Sequence, residues 1–362
     1  MPMSHPHPTP ILITGVGGPT PRSVARSLLR HARATKVVLH GTDINPRAHG
    51  LYERDLYQST ALAPRASSPD YWPFMAELVR ARSIAASLVM PELEVIEWSR
   101  RLASGAALPC KALLPDLKLT ECLVDKAAMT DVLRDSGQVP PSVVFRPGAT
   151  DFGDLIRVVG NPFWIRSTTG SSGLGSLLIR SEQELLNWLN INPKVETFIA
   201  SRYLPGRNLA CKLLYWEGEL VRAACGERVD YIMSKVAPSG ITGNTSFGRL
   251  LNEPELVALA ERAMAKLFAA TGARPHGMFT MDFKEDDSHV PYITEVNVRM
   301  VAFNLCFAMA GANFSEDIVR LLLGDRTFDR GRRIYEFPPR TIFLRDVDAE
   351  PILMSEDALL RA

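Results

Sequence analysis

Cysteine is scarce and scattered. The five residues (Cys110, Cys122, Cys211, Cys225 and Cys306) form no CxxC pair, and their number is odd. This spacing argues against a disulfide framework or a thiolate zinc site and predicts isolated thiols in the reducing cytoplasm. No run of about 18 apolar residues occurs, so no membrane span is expected. The opening MPMSHPHPTP lacks the charged-then-apolar order of a secretory leader. Neither sign of charge dominates, with 41 Lys plus Arg against 40 Asp plus Glu. Nucleic-acid binders carry a basic excess or a basic face, so no nucleic-acid partner is expected. No glycine loop ends in GK[ST], no Ser-His-Asp or Cys-His arrangement stands out, and only His276 and His289 follow residue 49. Fixed-period repeats are missing too. What remains, 46% hydrophobic and 22% charged over 362 residues, is the composition of a folded protein of two or three packed lobes.

Residues 11–14 (ILIT) form a short branched apolar run that breaks at Gly15, Gly17 and Gly18. Helical spacing follows over 21–31 (Val24, Ala25, Leu28, Leu29). A second run, KVVLHGTD (36–43), ends in Asp43, and further runs at 84–90 and 112–115 alternate with helical stretches at 72–82 and 92–104. Strands alternating with helices predict an α/β unit over 1–118, built on a doubly wound parallel sheet. Over 119–200 the character changes. TECLVDKAAMTDVLRDS (120–136) reads as two short helices, then come short strands at 142–145, 162–167 and 176–179 and a helix near 181–190. From 201 to 335 the strands lengthen, with a hairpin turning at Glu217-Gly218, a helix over 253–272, a second hairpin (277–286 and 291–299) and a helix at 314–324. The tail 336–362 holds acidic and apolar stretches, fit either to pack back on the core or to form a homodimer contact.

Three segments carry chemistry. GVGGPT (15–20), between a strand and a helix, has the form of a phosphate cradle, with Asp43 where a ribose-binding acid would sit. The prolines and the missing third glycine equally fit a plain tight turn, so a nicotinamide-dependent oxidoreductase is a weak reading. PFWIRSTTGSSGLGSLLI (162–179) places Arg166 at a strand end, followed by a Ser/Thr/Gly loop able to donate N–H and O–H groups to a triphosphate. An exposed flexible hairpin is the alternative there. TMDFKEDDSHVPYITEVNVRM (280–300) places Asp282 and Glu295 on two facing strands, and alternation puts Glu295, Asn297 and Arg299 on one face. Two carboxylates and an amide oxygen suit Mg²⁺, which completes its octahedron with phosphate and water. Phe279, Met281, Phe283, Val296 and Val298 assign the opposite face to the core; the alternative is a solvated polar face.

In this order the segments over about 10–325 resemble the ATP-grasp superfamily, in the branch similar to the carbamoyl phosphate synthase large subunit and other carboxylate–amine ligases. The motifs are DKAAMTDVLRDSGQVPPS, the Gly-rich hairpin, FIASRYLPG and MDFK…ITEVNVR. The resemblance implies a pre-ATP-grasp domain and then a two-lobed α+β ATP-grasp fold. It implies ATP held by Lys126, Arg166, the loop Gly170, Ser171, Ser172, Gly173 and Gly175, and the hinge Ser201, Arg202, Tyr203 and Leu204. It implies Mg²⁺ (or Mn²⁺) on Asp282, Glu295 and Asn297, with Arg299 assisting the transferred phosphoryl group. The chain departs from the pattern at Arg166 (a lysine in the family), at the hinge Ser201/Arg202 (a Glu), at Val298 (a Pro) and at Met300 (a Gly). The implied activity joins a small carboxylate to an amine through an acyl phosphate, on amino-acid or peptide-like substrates. The loop 228–248, with Arg228, Lys235 and GITGNTSFG, is assigned to the acceptor. A non-catalytic nucleotide-binding module is the rival reading.

Overall fold

The computed structural model describes residues 8–170, 175–301, 303–347 and 352–358. Three sheets follow one another along the chain. The first is built from β1 (Thr9–Thr14), α1 (Pro19–His31), β2 (Val37–Asp43), β3 (Ser59–Leu62), α2 (Tyr71–Ala81), β4 (Ala86–Leu88), α3 (Glu92–Ala103) and β5 (Lys111–Ala112). Its strands are parallel in the order β3-β2-β1-β4-β5, as the strand–helix alternation predicts.

Two short helices, α4 (Leu117–Val124) and α5 (Lys126–Leu133), lead into the second sheet. Asp125 ends the first helix and caps the second, accepting from Ala127 N at 2.9 Å. The break therefore puts Lys126 in the first turn of α5. The second sheet holds β6 (Ser142–Phe145), α6 (Phe152–Val159), β7 (Phe163–Ser167), β8 (Leu177–Ile179), α7 (Glu182–Ile191) and β9 (Phe198–Arg202). It is antiparallel, in the order β6-β9-β7-β8, around a small core of its own that includes Phe145, Phe163 and Phe198.

The third sheet contains β10 (Asn208–Trp216), β11 (Glu219–Tyr231), β12 (Thr245–Leu251), α8 (Pro254–Thr271), β13 (Gly277–Glu285), β14 (Pro291–Asn297), α9 (Asn304–Met309), α10 (Phe314–Leu323), β15 (Arg333–Ile334), β16 (Thr341–Leu344) and β17 (Ile352–Ser355). The order is β14-β13-β10-β11-β12-β16-β17, with β15 beside β11. The last two described strands thus extend this sheet: of the two roles left open for the tail, the described part takes the first. Both faces of β10 are covered, which explains its unbroken apolar run: Cys211 and Leu213 pack toward α8, Ala210 and Leu214 toward Phe303 and the first sheet. One apolar cluster spans the first and third sheets, so these two are packed as a unit. Polar contacts fix the joint. Ser23 Oγ accepts from Leu305 N at 2.8 Å, and Glu316 Oε1 gathers the N–H groups of Arg33, Ala34 and Thr35 at 2.8, 2.6 and 3.0 Å.

The thiols are free, but two are not isolated as the spacing predicted. Cys211 and Cys225 stand directly opposite on β10 and β11, because sheet register, invisible in sequence spacing, pairs them. No helix among the described residues is long and apolar enough to cross a membrane.

Candidate functional site

A cleft of about 450 Å³ lies between the second and third sheets. Ten of the residues singled out from the sequence line it: Lys126, Arg166, Gly170, Ser201, Arg202, Tyr203, Leu204, Arg228, Asp282 and Glu295. Ser171, Ser172 and Gly173 lie outside the described residues. Gly175, at φ +65°, returns the loop to β8 so closely that an added Cβ would stand 3.2 Å from Ser167 N.

The two carboxylates meet by register. Asp282 on β13 pairs with Glu295 on β14, and a bulge at that point leaves Thr294 as the extra residue. The bulge turns Thr294 O toward the second sheet, where Arg166 donates to it through Nη2, while Thr294 Oγ1 donates to Asp282 O at 3.1 Å. Cations surround the pair. Arg228 Nη2 binds Asp282 Oδ1 at 2.6 Å, and Lys126 Nζ and Arg166 Nη1 stand 3.8 and 4.0 Å from Glu295 Oε2. Lys126 Nζ also donates to Gly170 O at 2.7 Å, and its backbone N to Thr168 O at 2.8 Å, which ties the start of α5 to the Gly-rich loop.

Burial acts on Asp282, Lys126, Arg166 and Arg228. It pushes the Asp282 carboxyl above its usual range against the pull of Arg228, with Glu295 pushing the same way. Burial lowers Lys126 and Arg166, both partly rescued by Glu295. Burial also works against the charge of Arg228, but Asp282 outweighs it and the guanidinium is held above its ordinary value. Nε of Arg166, Arg228 and Arg299 are buried without a partner. Such unspent donors fit an anion with many acceptor oxygens.

Two expectations fail. Strand alternation does not carry Arg299 onto the face of Glu295, since β14 ends at Asn297 and Arg299 lines a separate cavity of about 20 Å³ beside Ser87–Met90. Asn297 is buried opposite Thr280 and is not among the residues lining the cleft. Among the described residues no group of three or more His, Cys, Asp and Glu side chains could hold a metal. The facing carboxylates nevertheless fit Mg²⁺, whose sites commonly use one or two carboxylates plus substrate phosphates.

The first glycine turn is a closed structure. Gly18 N donates to Gly15 O at 3.1 Å, and both Asp43 oxygens already accept backbone N–H groups, from Gly17 at 2.7 Å and Asn45 at 2.8 Å. This geometry matches the tight-turn reading rather than the dinucleotide cradle. The loop 228–248 borders the cleft through Ser234, Ser239, Gly240, Ile241 and Gly243, among others.

The sequence reading passed over Lys212, the lone charge in ACKLLYW. It is completely buried, donates to Asn304 Oδ1 at 2.8 Å and lies over the rings of Phe303 and Phe307. Burial, with Arg228 adding to it, brings its pKa down to about 7. Lys284, which lines the cleft and donates to Gly206 O at 2.6 Å, was also missed; its place on alternation beside Asp282 carried no signal of its own.

No protein-family model and no curated protein sequence matches the chain. Solved structures do. The N5-carboxyaminoimidazole synthetase of Staphylococcus aureus, complexed with ADP, has a TM-score of 0.68 at 15% identity, covering 93% of this chain and 82% of that one. The L-amino acid ligase of Bacillus licheniformis has a TM-score of 0.62 at 14% identity, covering 92% and 78%. The biotin carboxylase domain dimer of the Hydrogenobacter thermophilus 2-oxoglutarate carboxylase, in complex with MgADP, ADP and bicarbonate, has a TM-score of 0.65 at 16% identity, covering 93% and 74%. The chain has the fold of these enzymes, the ATP-grasp fold.

Proposed function

We propose that the protein is an ATP-dependent carboxylate–amine ligase acting on a small amino-acid or peptide-like substrate. The observation that carries this reading is the Asp282–Glu295 pair in register inside a cleft that Lys126, Arg166 and Arg228 also line. A cationic cleft with two carboxylates at its floor suits a nucleoside triphosphate with its divalent ion. The likeness to enzymes solved with ADP or MgADP supports the same reading.

Asp282 and Glu295 would hold Mg²⁺ or Mn²⁺, which when bound neutralises triphosphate charge. Lys126 and Arg166 bind the phosphate oxygens, with the loop around Gly170 covering them. The hinge Ser201–Leu204 edges the base, largely through backbone groups. The substrate carboxylate, already ionised, attacks the γ-phosphorus; the bond to the ADP oxygen breaks, leaving an acyl phosphate. An amine nitrogen then attacks the acyl carbon, phosphate departs and the amine proton passes to solvent. The protein's contribution is positioning and charge neutralisation. Arg228 supplies positive charge facing the reacting centre.

One observation favours the non-catalytic alternative. Arg228 clamps Asp282 at 2.6 Å, where it competes with a metal ion. Phosphate release from MgATP in the presence of pooled amino acids and small carboxylic acids separates the two readings. A ligase releases phosphate only with its substrates, and Asp282→Asn or Glu295→Gln abolishes that release while ATP affinity falls less. Turnover fully retained in both variants rejects the proposal.

A further inference from the structure

The clamp on Asp282 spans three strands. Asp282 on β13 and Arg228 on β11 flank β10, so the guanidinium reaches across the middle strand to make its 2.6 Å contact. Small residues clear the way. Ala210 on β10 pairs with Asp282 on one side and with Gly226 on the other, which leaves the sheet surface bare between acid and base. A side chain at Gly226 is excluded, because an added Cβ would stand 3.2 Å from the Phe307 ring. Phe303 carries the guanidinium on its own ring, with the centroid 5.4 Å away. Strand register and two aromatic rings therefore set this contact.

The two carboxylates are held differently. Among the described residues Glu295 makes no side-chain hydrogen bond, since Lys126 Nζ and Arg166 Nη1 stay 3.8 and 4.0 Å away. Asp282 Oδ1 is engaged at hydrogen-bond distance, by a guanidinium that lines the cleft and whose buried Nε has no partner.

Three cations thus face two carboxylates, and the site holds an excess of positive charge. A divalent ion entering alone adds to that excess. An ion on the second oxygen of Asp282 would share the carboxylate with the guanidinium, at close range to a like charge. A triphosphate brings more negative charge than the excess and the ion together. Its oxygens also match the fork of an arginine that still has a donor to spare.

We propose that Arg228 is a placeholder for the divalent ion: it occupies Asp282 until a polyphosphate draws it off, so that metal and nucleotide enter the cleft only together. The inference rests on the nucleotide site of the ligase reading and adds the rule by which that site fills. The clamp is then the resting state of the site.

Electron paramagnetic resonance of free Mn²⁺, titrated into the full-length protein without nucleotide, reads the placeholder. The parent binds the ion weakly, Arg228→Met binds it at least about tenfold more tightly, and Arg228→Lys, which keeps the charge, behaves as the parent. Adding Asp282→Asn to Arg228→Met removes the gain, which assigns it to this site. Should Arg228→Met fail to fold, Arg228→Gln takes its place, removing the charge while keeping a donor for Asp282. Calorimetric titration of the parent with a non-hydrolysable ATP analogue, with and without Mn²⁺, reads the coupling: the ion strengthens nucleotide binding, and by linkage the nucleotide strengthens the ion equally. Unchanged Mn²⁺ affinity in the neutral variants, a gain that survives Asp282→Asn, or tight Mn²⁺ binding by the nucleotide-free parent overturns the inference and leaves the nucleotide site standing. A parent that binds no analogue, with or without Mn²⁺, overturns the ligase reading itself.

Discussion

Lys212→Met tests how much the third sheet is strained by holding an amine in its interior. The ammonium has Asn304 Oδ1 and two phenylalanine faces for company and no carboxylate in contact. Its pKa is about 7 in the folded protein against 10.5 for a free lysine. Between those values the unfolded chain binds more protons than the folded one, so this residue makes stability rise with pH across that window. Relative to an uncharged side chain of the same shape, the penalty integrates to about 4 kcal/mol at pH 7 and about 2 kcal/mol at pH 9. Methionine removes it but orphans Asn304 Oδ1, which costs about 1–3 kcal/mol at either pH. The variant is therefore more stable than the parent by roughly 1–3 kcal/mol near pH 7, and the parent regains about 2 kcal/mol on it by pH 9. Urea unfolding of both proteins across this range reads the difference, in which all other titrating groups cancel. A stability difference that stays constant from pH 7 to 9 refutes the reasoning.

Two further outcomes follow from close contacts. Gly50→Ala drives a Cβ to within 2.0 Å of Val16 O, behind the first glycine turn; a loss of roughly 3 kcal/mol is expected by calorimetric melting, and an unchanged melting temperature contradicts that packing. Arg166→Lys keeps the charge but gives up the bond to Thr294 O; MgATP affinity falls about tenfold and further in Arg166→Met, and unchanged binding in Arg166→Met removes this residue from the site.

The alternation of short apolar runs with helical spacing was enough to read four of the five strands of the parallel sheet; β3 follows β2 with no α-helix between them to mark its start, and it went unread. The hairpin at Glu217-Gly218 and the facing Asp282 and Glu295 were legible because antiparallel neighbours joined by a short turn fix their own register. Arg299 was misplaced because alternation assumes that the strand continues, and β14 stops two residues earlier. Helix α9 went unread since Asn304–Met309 is short and buried on nearly every side, leaving no periodicity. Lys212 reads locally as an outward-facing strand residue inside an apolar run; only the packing on both faces of β10 gives it its buried surroundings.

Calorimetric titration of ATP, with and without Mg²⁺, into the unaltered protein and the Asp282→Asn/Glu295→Gln double variant tests the central claim most directly. The account predicts that Mg²⁺ strengthens binding to the unaltered protein and that this dependence vanishes in the double variant. Binding that is indifferent to Mg²⁺, or a Mg²⁺ dependence that survives the loss of both carboxylates, contradicts it.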